Sequence, residues 1–464
     1  MSNPPPHPLD PYSAEELTAA VAILTASGNV SAAVRYSCAL PVEPDKSFVR
    51  TYTTGEAYDR QVRLLGYDVE LAGSFDALIS IDADRVVEFQ TVTRGQSPLS
   101  FMDFIKVIQT VKADENWQAA MRKRGIENFD LVQIDPWPAG GFMPPEAKPG
   151  SRIMRAICFE RKFVGDNGYA HPIHGVMTYV DIDAEKVIRL DDHGVVPIPP
   201  EHGNYDVESS GPMREDLRPI EITQPEGTSF SVEGSLVRWQ KWQFRVSLHA
   251  IHGPVLHDVG YEDQGRLRPI LHRASLSDMV VPYGDSSPMH AWKHVFDASE
   301  LGLGQFANSL KLGCDCLGEI HYLDATLLNW NGEPVTVENA ICMHEEDYGI
   351  LWKHFDLHSN RTEVRRSRRL VVSSIHTVGN YEYGLFWYLY LDGTIQFEVK
   401  LTGIVGVSAV EPGGGSDTAP LIAPQLASPN HQHLFCARLD FAVDGERNSV
   451  YEVDAVPDPI GADN

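Results

Sequence analysis

Thr377-Val378-Gly379-Asn380-Tyr381-Glu382-Tyr383-Gly384-Leu385-Phe386-Trp387-Tyr388-Leu389-Tyr390 joins a polar knot to a long apolar run. From Tyr383 onward the residues are almost all aromatic or aliphatic, the composition of a strand in a β-rich core. Ahead of that run, Asn380 and Glu382 frame Tyr381, which taken alone reads as a packed strand tyrosine. Further along stands His431-Gln432-His433. Side chains two apart on a strand share a face, so both imidazoles can reach one metal ion. The plain alternative is two polar residues on a solvated face.

The β texture extends upstream. Phe230, Val232 and Gly234, then Val237 and Trp239, then Trp242, Phe244 and Val246 alternate with period two. Strand-like segments continue at 255–258, 267–271, 320–323 and 370–372. Gly413-Gly414-Gly415-Ser416-Asp417 marks a loop tip. Residues 229–464 are expected to form a large antiparallel β-sandwich. Residues 191–228 are rich in Pro and Gly, and 211–228 read as a linker.

Two smaller units precede it. In 8–97, Ser13 and Glu16 form a capping box ahead of Leu17, Ala20, Val21 and Leu24 on one helix face. Strands are expected at 48–53, 60–65, 68–71, 77–81 and 86–92. In 98–210, a long helix is expected from Phe101 through Met121, with Gly125 just past its end. Strands follow at 131–134, 152–159, 176–181 and 187–190. The expected fold class is α+β: two helix-plus-antiparallel-sheet domains, then the sandwich.

Composition narrows the partners. Among 464 residues, Asp plus Glu number 64 against 38 Lys plus Arg, a formal net charge of −26. Such a chain is poorly suited to a phosphate backbone and attracts cations, protonated amines included. No apolar run is long enough to span a membrane. Residues 1–11 are Pro-rich and lack the apolar centre of a signal peptide, so a cytoplasmic protein is expected. The six cysteines are too scattered for a disulfide scaffold, and Cys314-Asp315-Cys316 lacks a zinc spacing. Asp297, beside Phe296, would make a general base if desolvation raised its pKa.

Residues 278–433 resemble the copper amine oxidases, the topaquinone enzymes, and among them the microbial phenylethylamine and tyramine oxidases. The cofactor motif Thr-x-x-Asn-Tyr-Asp/Glu-Tyr is matched by Thr377, Asn380, Tyr381, Glu382 and Tyr383. Further similar blocks are 279–285, 312–318, 342–347 and 388–394. The resemblance implies that Tyr381 is the precursor of topaquinone, made by copper and dioxygen. It implies that Asp297 accepts the substrate α-proton, that Tyr283 bonds a cofactor oxygen, and that Asn380 orients the ring. His431 and His433 match two copper ligands, Asp440 resembles a ligand of a second divalent cation, and Cys316 and Cys342 match the family's disulfide. Phe104, Pro136 and Trp137 fall where a substrate channel is expected, and an aromatic channel suits aryl-ethylamines. A homodimer is implied, turning a primary amine and dioxygen into aldehyde, ammonia and hydrogen peroxide.

The family's third copper ligand is a histidine well downstream of the His-x-His pair, and none follows His433 in these 464 residues. The expectation is therefore a C-terminally truncated chain with little or no oxidase activity. Its alternative reading is an inactive remnant or a regulatory paralogue.

Overall fold

The computed structural model describes residues 6–92 and 95–462. The helix Ala14–Ala26 starts at the expected capping box: the Ser13 hydroxyl accepts from the Glu16 amide, and the Glu16 carboxylate accepts from the Ser13 amide. Its Leu17, Ala20 and Leu24 are buried against a four-stranded antiparallel sheet. The strands Val34–Pro41, Gln61–Asp68, Gly73–Ser80 and Arg85–Val92 lie in sequence order. Two expected strands here are something else. Lys46–Thr51 is a helix, because Asp45 accepts from the Ser47 amide and caps it. Residues 69–71 are a turn, in which Asp68 accepts from the amides of Glu70 and Leu71.

The second unit repeats the design. The long helix is interrupted: Asp114 takes an extended ψ of 123° and caps a new helix by accepting from the Trp117 amide. The two pieces, Phe101–Ala113 and Glu115–Lys123, bury Val107, Val111, Trp117 and Met121. They cover the sheet Gln133–Pro138, Ile153–Phe159, Pro172–Asp181 and Lys186–Asp192.

Past residue 229 the described chain is largely antiparallel β. One sheet runs through Phe230–Glu233, Leu236–Trp239, Trp242–His249, Gly253–Asp263 and Arg266–Pro282. That last strand also pairs with His294–Val295 and with Leu434–Phe441. The other sheet runs through His321–Leu328, Pro334–Asp356, Arg361–Val378, Tyr381–Tyr390 and Ile395–Gly403. Their inner faces meet through Trp239, Phe244 and Leu256 on one side and Met343, Leu370 and Trp387 on the other. Each such side chain contributes about 1.5–3 kcal/mol by leaving water. The outer half of the Pro334–Asp356/Arg361–Val378 hairpin is bare, with Ile350, Trp352, Phe355 and Leu357 exposed. No helix among the described residues is long and apolar enough to cross a membrane.

Candidate active site

Val378 pairs with Tyr381 across a two-residue hairpin whose first turn residue, Gly379, has φ +59°. Glycine adopts that conformation without the steric cost of a Cβ. Thr377 Oγ1 donates to Glu382 Oε1 (2.9 Å) and accepts from Asn308 Nδ2 (3.0 Å), which ties the two strand ends together. Asn380 Nδ2 donates to the Ile404 carbonyl at 2.6 Å. The motif residues around Tyr381 thus fix its backbone, and Tyr381 itself faces inward.

Three groups surround its ring. The Tyr381 hydroxyl lies 2.8 Å from Tyr283 Oη and 2.9 Å from His431 Nε2. The Tyr283 ring stacks on His431 at 4.6 Å, and the His433 ring meets Tyr381 edge-on at 4.8 Å. A backbone bridge between Tyr283 and His431, with Gly284 N–H donating to the Asn430 carbonyl (2.7 Å), seats the His-x-His segment beside residues 282–284. Burial raises the pKa of both tyrosines. It lowers that of His433 to about 4, with His431 adding to the effect, so His433 is neutral.

The hydrogen bonds set the tautomers. His431 Nδ1–H donates to the Pro429 carbonyl (2.9 Å), which leaves the Nε2 lone pair facing Tyr381. Tyr383 Oη donates to Asp297 Oδ2 (2.8 Å) and lies 3.2 Å from His433 Nδ1. Having spent its proton on Asp297, Tyr383 accepts from Nδ1–H and leaves His433 Nε2 with a lone pair. Two such imidazoles, oriented by second partners, fit a copper centre in kind. In number they fall short of three: among the described residues no further His, Cys, Asp or Glu gathers with them.

Asp297 is 5% exposed, while its neighbour Phe296 is 39% exposed. The desolvation expected from Phe296 therefore comes from the other side, where Val281, Val295, Leu301 and Phe306 line a cavity of about 220 Å³. Burial pushes the Asp297 carboxyl up to about 7, against the pull of the Tyr383 hydroxyl. The same cavity brings together Asp297, Tyr381, Asn380, Phe104, Pro136 and Trp137.

Other residues were not singled out by the sequence. Tyr383 bridges Asp297 to His433, although only its place in the motif was visible. A Cβ on Gly406 would stand 2.8 Å from Tyr381 Oη and 3.0 Å from Tyr283 Oη, so glycine makes room for the pair. Lys293 is fully buried over the rings of Trp137 (4.7 Å) and Tyr283 (5.1 Å), and burial lowers its pKa to about 7. Nothing local in the sequence announces either one. Asp440 is not part of this site; it lies on Leu434–Phe441, and Lys46 Nζ holds its carboxylate at 2.6 Å. Cys316 and Cys342 are joined as a disulfide.

Residues 231–464 match the copper amine oxidase enzyme domain, 102–210 the copper amine oxidase N3 domain, and 13–89 the AGAO-like N2 domain. A primary amine oxidase of Arthrobacter sp. (strain P1) is 44% identical over 450 residues, covering 97% of this chain and 69% of that one. A histamine oxidase of Arthrobacter globiformis is 45% identical over 462 residues, covering 99% and 67%. The crystal structure of a copper-containing benzylamine oxidase from Hansenula polymorpha superposes with a TM-score of 0.84 at 28% identity, covering 95% of this chain and 71% of that one. The chain spans about two thirds of these relatives and belongs to the copper amine oxidase family, the primary amine oxidases.

Proposed function

We propose that this chain carries the site for oxidative deamination of aryl-ethylamines, with Tyr381 as the cofactor precursor and Asp297 as the base. The observation that carries the reading is the convergence of Tyr381 and Asp297 on one apolar cavity. When formed with copper and dioxygen, topaquinone supplies the carbonyl group that withdraws two electrons from the amine and passes them to dioxygen.

The chain's own residues do the rest. Phe104, Trp137, Leu301 and Phe306 bury an aryl ring, and the cavity's apolar lining excludes water. Asp297 takes the α-proton. Its pKa near 7 keeps a fraction ionised at neutral pH and lets the protonated form persist in an apolar wall. Tyr383 steadies the carboxylate through its 2.8 Å hydrogen bond. Tyr283 donates to the Tyr381 oxygen, and the Asn380 anchor to Ile404 holds the neighbouring backbone. His431 and His433 would hold copper through their Nε2 atoms. The exposed hairpin bearing Trp352 and Phe355 would embrace a second copy in a homodimer.

The two-imidazole set favours a second reading, in which copper binds too weakly for Tyr381 to be oxidised. One experiment separates them. Copper-loaded, aerated protein is treated with phenylhydrazine and its peptides are sequenced by mass spectrometry. A coloured adduct on Tyr381, with peroxide released from 2-phenylethylamine, supports the enzyme. Bound copper without an adduct removes the cofactor assignment, and failure to retain copper leaves the second reading standing.

A further inference from the structure

We propose that, once the Cys316–Cys342 disulfide is reduced, its two thiolates and His344 form a binding site for a soft divalent cation such as Zn²⁺. The sulfurs of Cys316 and Cys342 and a ring nitrogen of His344 all lie within 4.8 Å of one another, and all three residues are buried. This is the one group of three metal-binding side chains gathered among the described residues.

The local fold explains the cluster. Cys342 and His344 are alternate residues of the strand Pro334–Asp356, so both side chains leave the same face. Cys316 approaches from the loop before His321–Leu328, where Gly313 N–H donates to the Cys316 carbonyl (2.9 Å). Leu310, Ile320 and Ile375 close around the sulfurs. His344 Nδ1 lies 3.4 Å from Cys342 Sγ.

The remote side of the imidazole is what marks a ligand. His344 Nε2 is 3.3 Å from Glu346 Oε1, and Arg369 Nε donates to Glu346 Oε2 at 2.7 Å. The paired carboxylate accepts a hydrogen bond from Nε2–H, which keeps the proton there and leaves the Nδ1 lone pair toward the sulfurs. Carboxylate–histidine–metal triads orient zinc-binding imidazoles in this way. Parting the sulfurs to about 3.7 Å satisfies the bond lengths and angles of a tetrahedral zinc. The fourth position falls to water or to the exposed thiol of Cys314 in the same loop.

The redox step balances with an external dithiol of the thioredoxin class. Its thiolate attacks the bridge, the Cys316–Cys342 bond breaks, and the dithiol closes into its own disulfide. Two electrons and two protons pass to the cysteines, and metal binding then releases both protons to solvent.

The test uses the full chain, stripped of metal, in oxidised and phosphine-reduced forms, titrated anaerobically with Co²⁺. Any metal held by His431 and His433 is common to both forms and cancels. The reduced form should take one more equivalent per chain, with a thiolate-to-cobalt charge-transfer band that Zn²⁺ abolishes. His344→Gln should weaken that binding at least tenfold. Glu346→Gln, the variant to use if His344→Gln does not fold, should weaken it about tenfold. Equal uptake by the two forms overturns the proposal, as does a band unchanged in the folded variants.

Discussion

Tyr381 and Leu389 stand at opposite ends of one strand and on one face of it, with Tyr383, Leu385 and Trp387 between them. Pairing is continuous along both sides of the strand, and the ladder does not distinguish its ends. What differs is the material opposite. Trp387 and Leu389 meet Trp239, Phe244 and Leu256 in one apolar cluster. Tyr381 and Tyr383 meet Tyr283, Asp297, His431 and His433, so each hydroxyl has two partners. Burial at one end contributes stability. At the other it perturbs titration, because a desolvated carboxyl or phenol resists ionising. The comparison teaches that a tyrosine held among polar partners needs no special strand, only a polar cluster delivered by distant segments to an ordinary one.

Asp297→Asn should break the polar end most severely. Amine turnover of the copper-loaded protein should fall roughly 10³-fold, the usual weight of a general base. Stability should move the other way. The Asp297 pKa is about 7 when folded against 3.8 for the free group, so the folded chain binds more protons across that window. Stability tied to Asp297 is complete below about pH 4 and is lost as pH rises through about 7. The Asn variant does not titrate there. It should match the parent at pH 4 and exceed it at pH 8 by up to about 4 kcal/mol, read from urea unfolding. Equal stability at both pH values would mean the carboxyl is solvated.

The apolar end should answer in stability alone. Trp387→Ala should cost about 3 kcal/mol. Trp387→Phe should cost much less, since Trp387 Nε1 makes no hydrogen bond that is lost. Phenylhydrazine labelling of Tyr381 should survive both at low temperature. Loss of labelling in a folded Trp387→Phe chain would show that the two ends are coupled. Phe104→Ala, on the cavity wall, should lower kcat/KM for 2-phenylethylamine by about 1–2 kcal/mol and leave methylamine nearly unchanged.

The two ends were also unequally legible. The apolar end follows from its nearly unbroken aromatic and aliphatic run, and the sandwich around it from the period-two alternation at 230–246. The polar end was legible only as a motif: nothing local to Tyr381 distinguishes it from a packed strand tyrosine. The Tyr383–Asp297 bond joins residues 86 apart, and Gly406 matters only through space. Local competition defeated two strand expectations: Asp45 caps a helix where Phe48 and Val49 suggested strand, and Asp68 gathers amides into a turn. The break at Asp114 carries no glycine or proline to mark it, and the helix resumes after that one residue.

The smallest effect is expected where Asp440 meets Lys46. The strand Leu434–Phe441 begins just after His433, so Asp440 sits on the same segment as the imidazoles but outside their cluster. The side chains of Lys46 and Asp440 are 35% and 20% exposed, and water screens such a pair. A double-mutant cycle of Lys46→Ala and Asp440→Asn should give a coupling below about 1 kcal/mol, shrinking in salt. The Lys46→Ala chain frees the carboxylate for a cation. Calcium should nonetheless leave its melting temperature where the parent's is, because among the described residues no group of three metal-binding side chains forms around Asp440 and calcium needs six or more oxygens. A calcium-dependent rise in the variant alone would show that Lys46 occupies a cation's place. Asp440 would then belong with the polar end of the comparison, as a charge whose partner can be exchanged.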